Sequence, residues 1–144
     1  MKITYLKKQN LFDDAKNIRE EVFVKEQGFV NEIDDTDKKA VHIVCYDQER
    51  PIAVGRYFQG EEKGVYNIGR VAIIKEYRGR QIGRYIMEVM EQNIRKESGR
   101  TIYLSAQARV QDFYKKLGYT QRGEAFMEEH CLHIPMKKDL REER

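Results

Sequence analysis

Tryptophan is absent from this chain of 144 residues, and proline and cysteine occur only twice each. Two isolated prolines, Pro51 and Pro135, leave no proline-rich linker. One distant cysteine pair, Cys45 and Cys131, excludes a disulfide-dense scaffold. The opening MKITYLKK lacks the apolar core of a secretory signal, so reduced thiols and a cytoplasmic location are expected. No apolar run approaches the roughly 18 residues that cross a bilayer, so no membrane partner is expected. An excess of one charge is also missing: 27 basic residues against 24 acidic ones give a net charge of +3. A nucleic-acid binder usually shows its basic face in that total, so no nucleic-acid partner is expected. With no repeat, linker or low-complexity tract, the expectation is a single domain over 1–144, long enough to bury a core.

What is present centres on residues 65–99. Residues 66–74 are rich in β-branched types and read as a buried strand. Ile82, Ile86, Val89, Met90 and Ile94 recur three or four apart and form one face of a helix, with Gly99 expected as its C-terminal cap. Between strand and helix lies Arg78-Gly79-Arg80-Gln81-Ile82-Gly83-Arg84. A turn of this kind exposes the unpaired first amides of the helix and the positive end of its dipole, which together make an anion site. Glycine lets backbone approach a phosphate, and arginine supplies forked donors. The turn lacks the Gly-Lys-Ser/Thr of a Walker loop and the glycine spacing of a dinucleotide fingerprint.

The remaining chain supplies strands over 1–6, 40–46, 52–58, 101–106, from 119, and 130–136. The three strands from 40 to 74 read as an antiparallel meander. Strand 65–74, the helix, and strand 101–106 form a crossover unit, so those two strands run parallel. Gly69 inside a strand points to a bulge. Leu11, Ala15, Ile18 and Val22 predict a first helix, capped by Asn10 and closed by Gly28. Residues 109–117 predict a short helix ending at Gly118. Asp34, Asp35 and Asp37 fail the calcium-loop spacing and read as a solvated loop. His130 and His133 would face opposite sides of a strand, so no metal site is expected. The segment from Lys137 onward reads as a frayed charged tail.

Three separated stretches resemble one family. Arg78-Gly79-Arg80-Gln81-Ile82-Gly83 is similar to the acyl-CoA signature Gln/Arg-x-x-Gly-x-Gly/Ala of the GNAT N-acetyltransferase superfamily, with Gln81 standing at the first motif glycine. Ile18 through Gln27 resembles the first helix of a GNAT subgroup that carries R-x-x-V-F-V-x-E-Q. Ala106-Gln107 followed by Phe113-Tyr114-Lys115-Lys116-Leu117-Gly118-Tyr119 resembles the family's strand followed by FYEKLGF. The resemblance implies an α/β GNAT-like fold, a mixed and mostly antiparallel sheet of six to seven strands with a V-shaped splay, flanked by about four helices. It implies acetyl-CoA as co-substrate and a primary amine, on a small molecule or a peptide, as acceptor. The backbone of Val71, Ala72 and Ile73 would hold the pantetheine arm and stabilise the oxyanion. Arg78, Gly79, Arg80, Gln81, Ile82, Gly83 and Arg84 would hold the pyrophosphate, with Gln107 also at the cofactor. The amide cradle is expected to survive at Gln81 if its backbone angles are ordinary.

Tyr114 is implied as the acid that protonates the leaving thiolate, since a phenol near pKa ~10 is comparable in basicity. Glu26 and Gln27 are candidate substrate contacts. For the base, the candidates are Glu26, His42, Glu124, Glu128 and His133, or a held water. His42, within an apolar strand, reads better as a hydrogen-bonded core histidine. Cys131 reads as a buried thiol. Two other readings stay open: an acyl-CoA-binding domain without turnover, and a small nucleic-acid-binding domain using Lys75, Arg78, Arg80 and Arg84. A homodimer is compatible with all of this.

Overall fold

Strand pairing follows the alternation and turns of the chain. The computed structural model describes residues 1–140. Strands β1 (Ile3–Lys8), β2 (Val41–Asp47), β3 (Arg50–Gln59) and β4 (Val65–Ile73) pair antiparallel in sequence order. Helix α2 (Ile82–Lys96) crosses over to β5 (Thr101–Gln107), which runs parallel to β4. Strands β6 (Thr120–Gln121) and β7 (Phe126–Glu128) both pair with β8 (Cys131–Asp139). The result is an eight-stranded sheet in the order β1-β2-β3-β4-β5-β8-β6, with β7 beside β8. The apolar stripe of α2 is buried against β2, β3 and β4, with Ile86, Met90 and Ile94 fully enclosed. The remaining helices are α1 (Asp13–Arg19), which continues as a π-helical stretch over Glu20–Glu26, and α3 (Gln111–Lys116).

Several expectations need correction. The sheet has one strand more than the upper expectation, because Phe126–Glu128 pairs with the start of β8. Among the described residues there are three α-helices, where about four were expected. Phe12, extended at φ −87°, stands at the N-cap of α1 in place of Asn10. The acids Asp13 and Asp14 still lie in the first turn, where the dipole favours them. The cap of α2 is also shifted by one residue. Ser98 takes the left-handed conformation (φ 70°), and the amides of Ser98 and Gly99 return to the Arg95 and Ile94 carbonyls at 3.0 and 2.8 Å. Gly99 is needed for a different reason: a Cβ there would stand 2.3 Å from Ile94 Cγ2 and 2.8 Å from the Tyr66 ring. The tail from Lys137 is not frayed. It extends β8 opposite β5, and Leu140 is buried beyond it; residues 141–144 lie outside the described residues.

Candidate active site

The parallel ladder between β4 and β5 is short. It joins Val65, Tyr66 and Asn67 to Thr101, Ile102 and Tyr103 and then stops. Beyond it β5 stays with β8, down to the pair Gln107 and His133, whereas β4 stays with β3. The cause lies in β4. Two steps on β3, from Val54 to Arg56, face three on β4, from Ala72 to Gly69. The extra residue is a bulge at Arg70, whose φ is 52°. The expected bulge at Gly69 is therefore displaced by one residue. A bulge increases local twist, and here the two strands part. A cavity of about 830 Å³ opens in the gap.

Strand alternation decides which amides face it. Ile74 donates to the Ile52 carbonyl at 3.0 Å, so Ala72, two residues back, also faces β3. Ile73 and, beside the bulge, Val71 turn their backbone groups to the gap. Consistent with that, the Ile73 carbonyl accepts from Arg78 Nε at 2.9 Å. Ala72, expected as a backbone contact, keeps only its buried side chain near the cavity.

At one end of the gap α2 begins without a side-chain cap. Its first turn carries no acid and one cation, Arg84, the reverse of what the helix dipole favours. An uncapped, basic helix start leaves its amides open to an external anion. Gln81 adopts φ 67° and ψ 14°, the left-handed angles that a motif glycine would take. Its angles are thus not ordinary; glutamine meets this left-handed conformation at a cost of about 1–2 kcal/mol, and the first turn of α2 keeps no side-chain cap. Gly83 lies against α3: a Cβ there would stand 3.0 Å from Phe113 Cζ. The next residue, Tyr114, lines the cavity, and burial pushes its phenol up to about 12. No hydrogen bond to a described residue contributes to that shift.

The other end of the cavity is built on buried charge. Arg19 is fully enclosed and donates to Asp37 at 2.8 and 2.9 Å, and also to Glu32. Arg56 Nη1 donates to Asp37 and Asp34, each at 2.7 Å. Arg70 donates to the Glu32 carbonyl at 3.0 Å and to Asp34 at 3.2 Å. Three cations thus neutralise three carboxylates. Burial alone would raise the Asp37 pKa, but hydrogen bonds from Arg19 and Arg56 outweigh it and hold Asp37 well below the usual range. Glu32, Asp34, Arg56 and Arg70 all border the cavity. Beside them Gln107 donates to Gln27 at 2.8 Å, and His133 Nδ1 lies 3.1 Å from the Cys131 carbonyl.

This arrangement matches a known domain over nearly the whole chain. Residues 7–140 match the acetyltransferase (GNAT) domain. The chain belongs to the GNAT acetyltransferases. It is 34% identical over 142 residues to an uncharacterized N-acetyltransferase, YjcF, of Bacillus subtilis, covering 96% of this chain and 100% of that one. It superposes on the crystal structure of Escherichia coli ElaA with a TM-score of 0.83 at 25% identity, covering 96% and 100% of the two chains. An aminoglycoside 6'-N-acetyltransferase solved with coenzyme A shares the fold, with a TM-score of 0.73 at 16% identity and 97% of each chain covered.

Within this GNAT domain the expected site residues divide into groups. Val71, Ala72, Ile73, Arg78, Gly79, Gln81, Ile82, Gly83, Arg84, Gln107, Tyr114, Gln27 and His133 all border the one cavity. Arg80 does not: its guanidinium stacks over the Tyr77 ring, 4.9 Å from the centroid. Arg78 and Glu26 are spent on each other, in a forked pair at 2.6 and 2.7 Å, and Arg78 hydrogen bonding lowers the Glu26 pKa. Arg84 pairs with Glu88 at 3.4 Å. His42 is the core histidine expected, buried and 3.0 Å from the Asp37 carbonyl, with its pKa lowered by desolvation. Cys131 is half-buried, not buried. Among the described residues no group of three or more histidines, cysteines or acids could hold a metal.

Within the acidic loop Asp34 and Asp35 are exposed as expected, but Asp37 is not. Asp37 is buried, because Arg19 and Arg56 reach it, while Asp34 stays exposed at the loop surface even though Arg56 and Arg70 bind it. A signal was available: Arg19 falls on the apolar face of the first helix, between Ala15 and Val22, and Arg56 sits mid-strand among buried residues. A cation on a buried stripe calls for carboxylates elsewhere.

Proposed function

We propose that this GNAT domain is an acetyl-CoA-dependent N-acetyltransferase that moves an acetyl group to a primary amine by direct attack. The observation that carries the reading is the parted strand pair, bounded on one side by the Ile73 amide, which faces away from β3, and on the other by the uncapped start of α2. The pyrophosphate would sit on the amides of Gln81, Ile82, Gly83 and Arg84, and the pantetheine arm would pair with β4 as a missing strand. The Ile73 amide, already fixed in place, would donate to the oxyanion.

The neutral amine attacks the thioester carbon. A C–N bond forms, the carbonyl π-electrons move to oxygen, and the C–S bond breaks as they return. Tyr114 gives its proton to the departing sulphur and recovers one from the nitrogen. A phenol pushed up to about 12 by burial is a weaker acid than an ordinary thiol near ~8.5, so proton transfer to the free thiolate runs uphill. Donation ahead of bond breaking is therefore the less favourable order. The proton moves as charge builds on sulphur, and the acidic ammonium of the adduct restores it.

Two measurements test the reading. A thermal-shift titration with CoA should raise Tm, and a thiol-release assay with acetyl-CoA over a panel of primary amines should show turnover. CoA binding without turnover on any amine would leave only a non-catalytic acyl-CoA domain. No CoA binding would remove both.

A further inference from the structure

The attacking amine must first lose a proton, and five side chains were candidates to take it. Four are poorly placed. Glu26 is locked to Arg78. His42 is enclosed in the sheet and does not reach the cavity. Glu124 is exposed and lies away from the cavity. Glu128 borders the cavity but projects from the exposed edge strand β7.

His133 differs in three respects. It lines the cavity while only 7% exposed, so its residual opening is toward the site. Its ring is fixed from two sides, stacked on Phe126 with centroids 5.7 Å apart and edge-on to Phe29 at 6.4 Å. Its Nδ1 lies 3.1 Å from the Cys131 carbonyl. A carbonyl oxygen only accepts, so Nδ1 must carry the hydrogen. In the neutral ring that leaves the lone pair on Nε2. No hydrogen bond to a described residue occupies Nε2. The backbone thus selects the tautomer, as an orienting partner does for a working histidine.

We infer that His133 is the general base of the proposed acetyl transfer, accepting a proton at Nε2 from the acceptor's ammonium. The inference rests on the acetyltransferase reading above. One N–H bond of the ammonium breaks and one N–H bond forms at Nε2, leaving a neutral amine and an imidazolium that later releases the proton to solvent. The amine then attacks as described. Gln107, which faces His133 across the β5–β8 ladder, and its partner Gln27 flank the place where the amine would sit. The charged or titratable neighbours are Cys131 on β8, His130 at the turn, Glu128 and Glu129 on the β7 side, and Arg109 at the cavity rim.

The test has two arms. In wild-type protein, long-range proton–nitrogen correlation of the histidine rings should show a hydrogen on Nδ1 and a bare Nε2 for His133 at neutral pH. The opposite tautomer would overturn the assignment without any activity measurement. In the kinetic arm, two amines of different basicity that are turned over would be compared. The kcat/KM profile should rise with pH through one ionisation common to both amines. In His133→Gln that shared ionisation should vanish and kcat/KM should fall about 100-fold. Added imidazole should restore part of the rate, while CoA affinity stays unchanged. A His133→Gln variant that binds CoA normally and keeps the shared ionisation refutes the base but leaves the acetyltransferase intact. Absence of turnover in the wild type would strike the enzyme reading instead, and the tautomer arm would still decide His133.

Discussion

Removing Arg19 should be the most damaging single change outside the reacting groups. In the folded protein its guanidinium makes two bonds to Asp37, at 2.8 and 2.9 Å, one to the Glu32 carboxylate, and one to the Glu32 carbonyl at 3.1 Å. Arg19→Met keeps the volume and deletes all four, turning three cations against three carboxylates into two against three. Breaking a buried pair by removing one partner costs about 3–5 kcal/mol. The low end applies here, because Asp37 keeps Arg56 at 2.7 Å and Glu32 keeps Arg70 at 3.3 Å. At roughly 2–4 °C per kcal/mol for a domain of this size, about 3 kcal/mol lowers Tm by about 6–12 °C. Differential scanning calorimetry reads this directly. The double variant Arg19→Met, Asp37→Asn restores the balance of two against two and should recover part of the loss. Because the same network holds Glu32 and Asp34 at the cavity, Arg19→Met should raise KM for the acceptor more than Kd for CoA. A Tm drop below ~2 °C would mean that this buried charge is not what holds the loop.

Three further outcomes are expected. Tyr114→Phe should lower kcat by about 100-fold or more while CoA affinity holds, and unchanged turnover would remove the hydroxyl from the reaction. Gly83→Val should weaken CoA binding by at least ~10-fold, since its Cβ would stand 3.0 Å from Phe113 and the branched carbons add bulk beside the phosphate amides; an unaltered calorimetric Kd would place the phosphate elsewhere. Acid should destabilise the fold through Asp37. Its folded pKa is depressed, so its contribution is complete above the unfolded carboxylate value of ~3.9 and is lost as pH falls through the folded one. Urea midpoints should be level above about pH 5 and decline below about pH 4, less steeply in Asp37→Asn; identical slopes would exclude this linkage.

Local periodicity carried most of the fold. The stripe of α2, the meander from β2 to β4 and the parallel crossover are all short-range patterns, and the chain keeps them. The misreadings share a physical origin in distance along the chain. Asp37 and Arg56 are 19 residues apart, and Arg19 and Asp37 are 18 apart, so nothing local marks Asp37 as buried. The pairing of Arg78 with Glu26, 52 residues away, is equally invisible to local sequence. Lys137 and Lys138 look frayed until β5 supplies the partner strand. The parting of β4 from β5 was expected from family resemblance alone, since nothing in the residues of either strand states which ladder will stop.

Gln81 shows how a departure from a motif can preserve its geometry. What the cradle requires is a left-handed turn before α2, not an absent side chain, since Gln81 holds φ 67° and still leaves the first amides free. Left-handed angles cost a residue with a Cβ about 1–2 kcal/mol, and glycine avoids that cost but loses about 0.5–1 kcal/mol more backbone entropy on folding. The difference for Gln81→Gly is therefore a gain of about 0–1.5 kcal/mol, or at most a few degrees in Tm. Because the amides already point outward, the Kd for CoA should stay within about threefold, under 1 kcal/mol. A tenfold tightening in Gln81→Gly would show that the glutamine side chain obstructs the site. A tenfold weakening would show that it contacts the ligand, and in both cases the backbone alone would no longer account for the grip on phosphate.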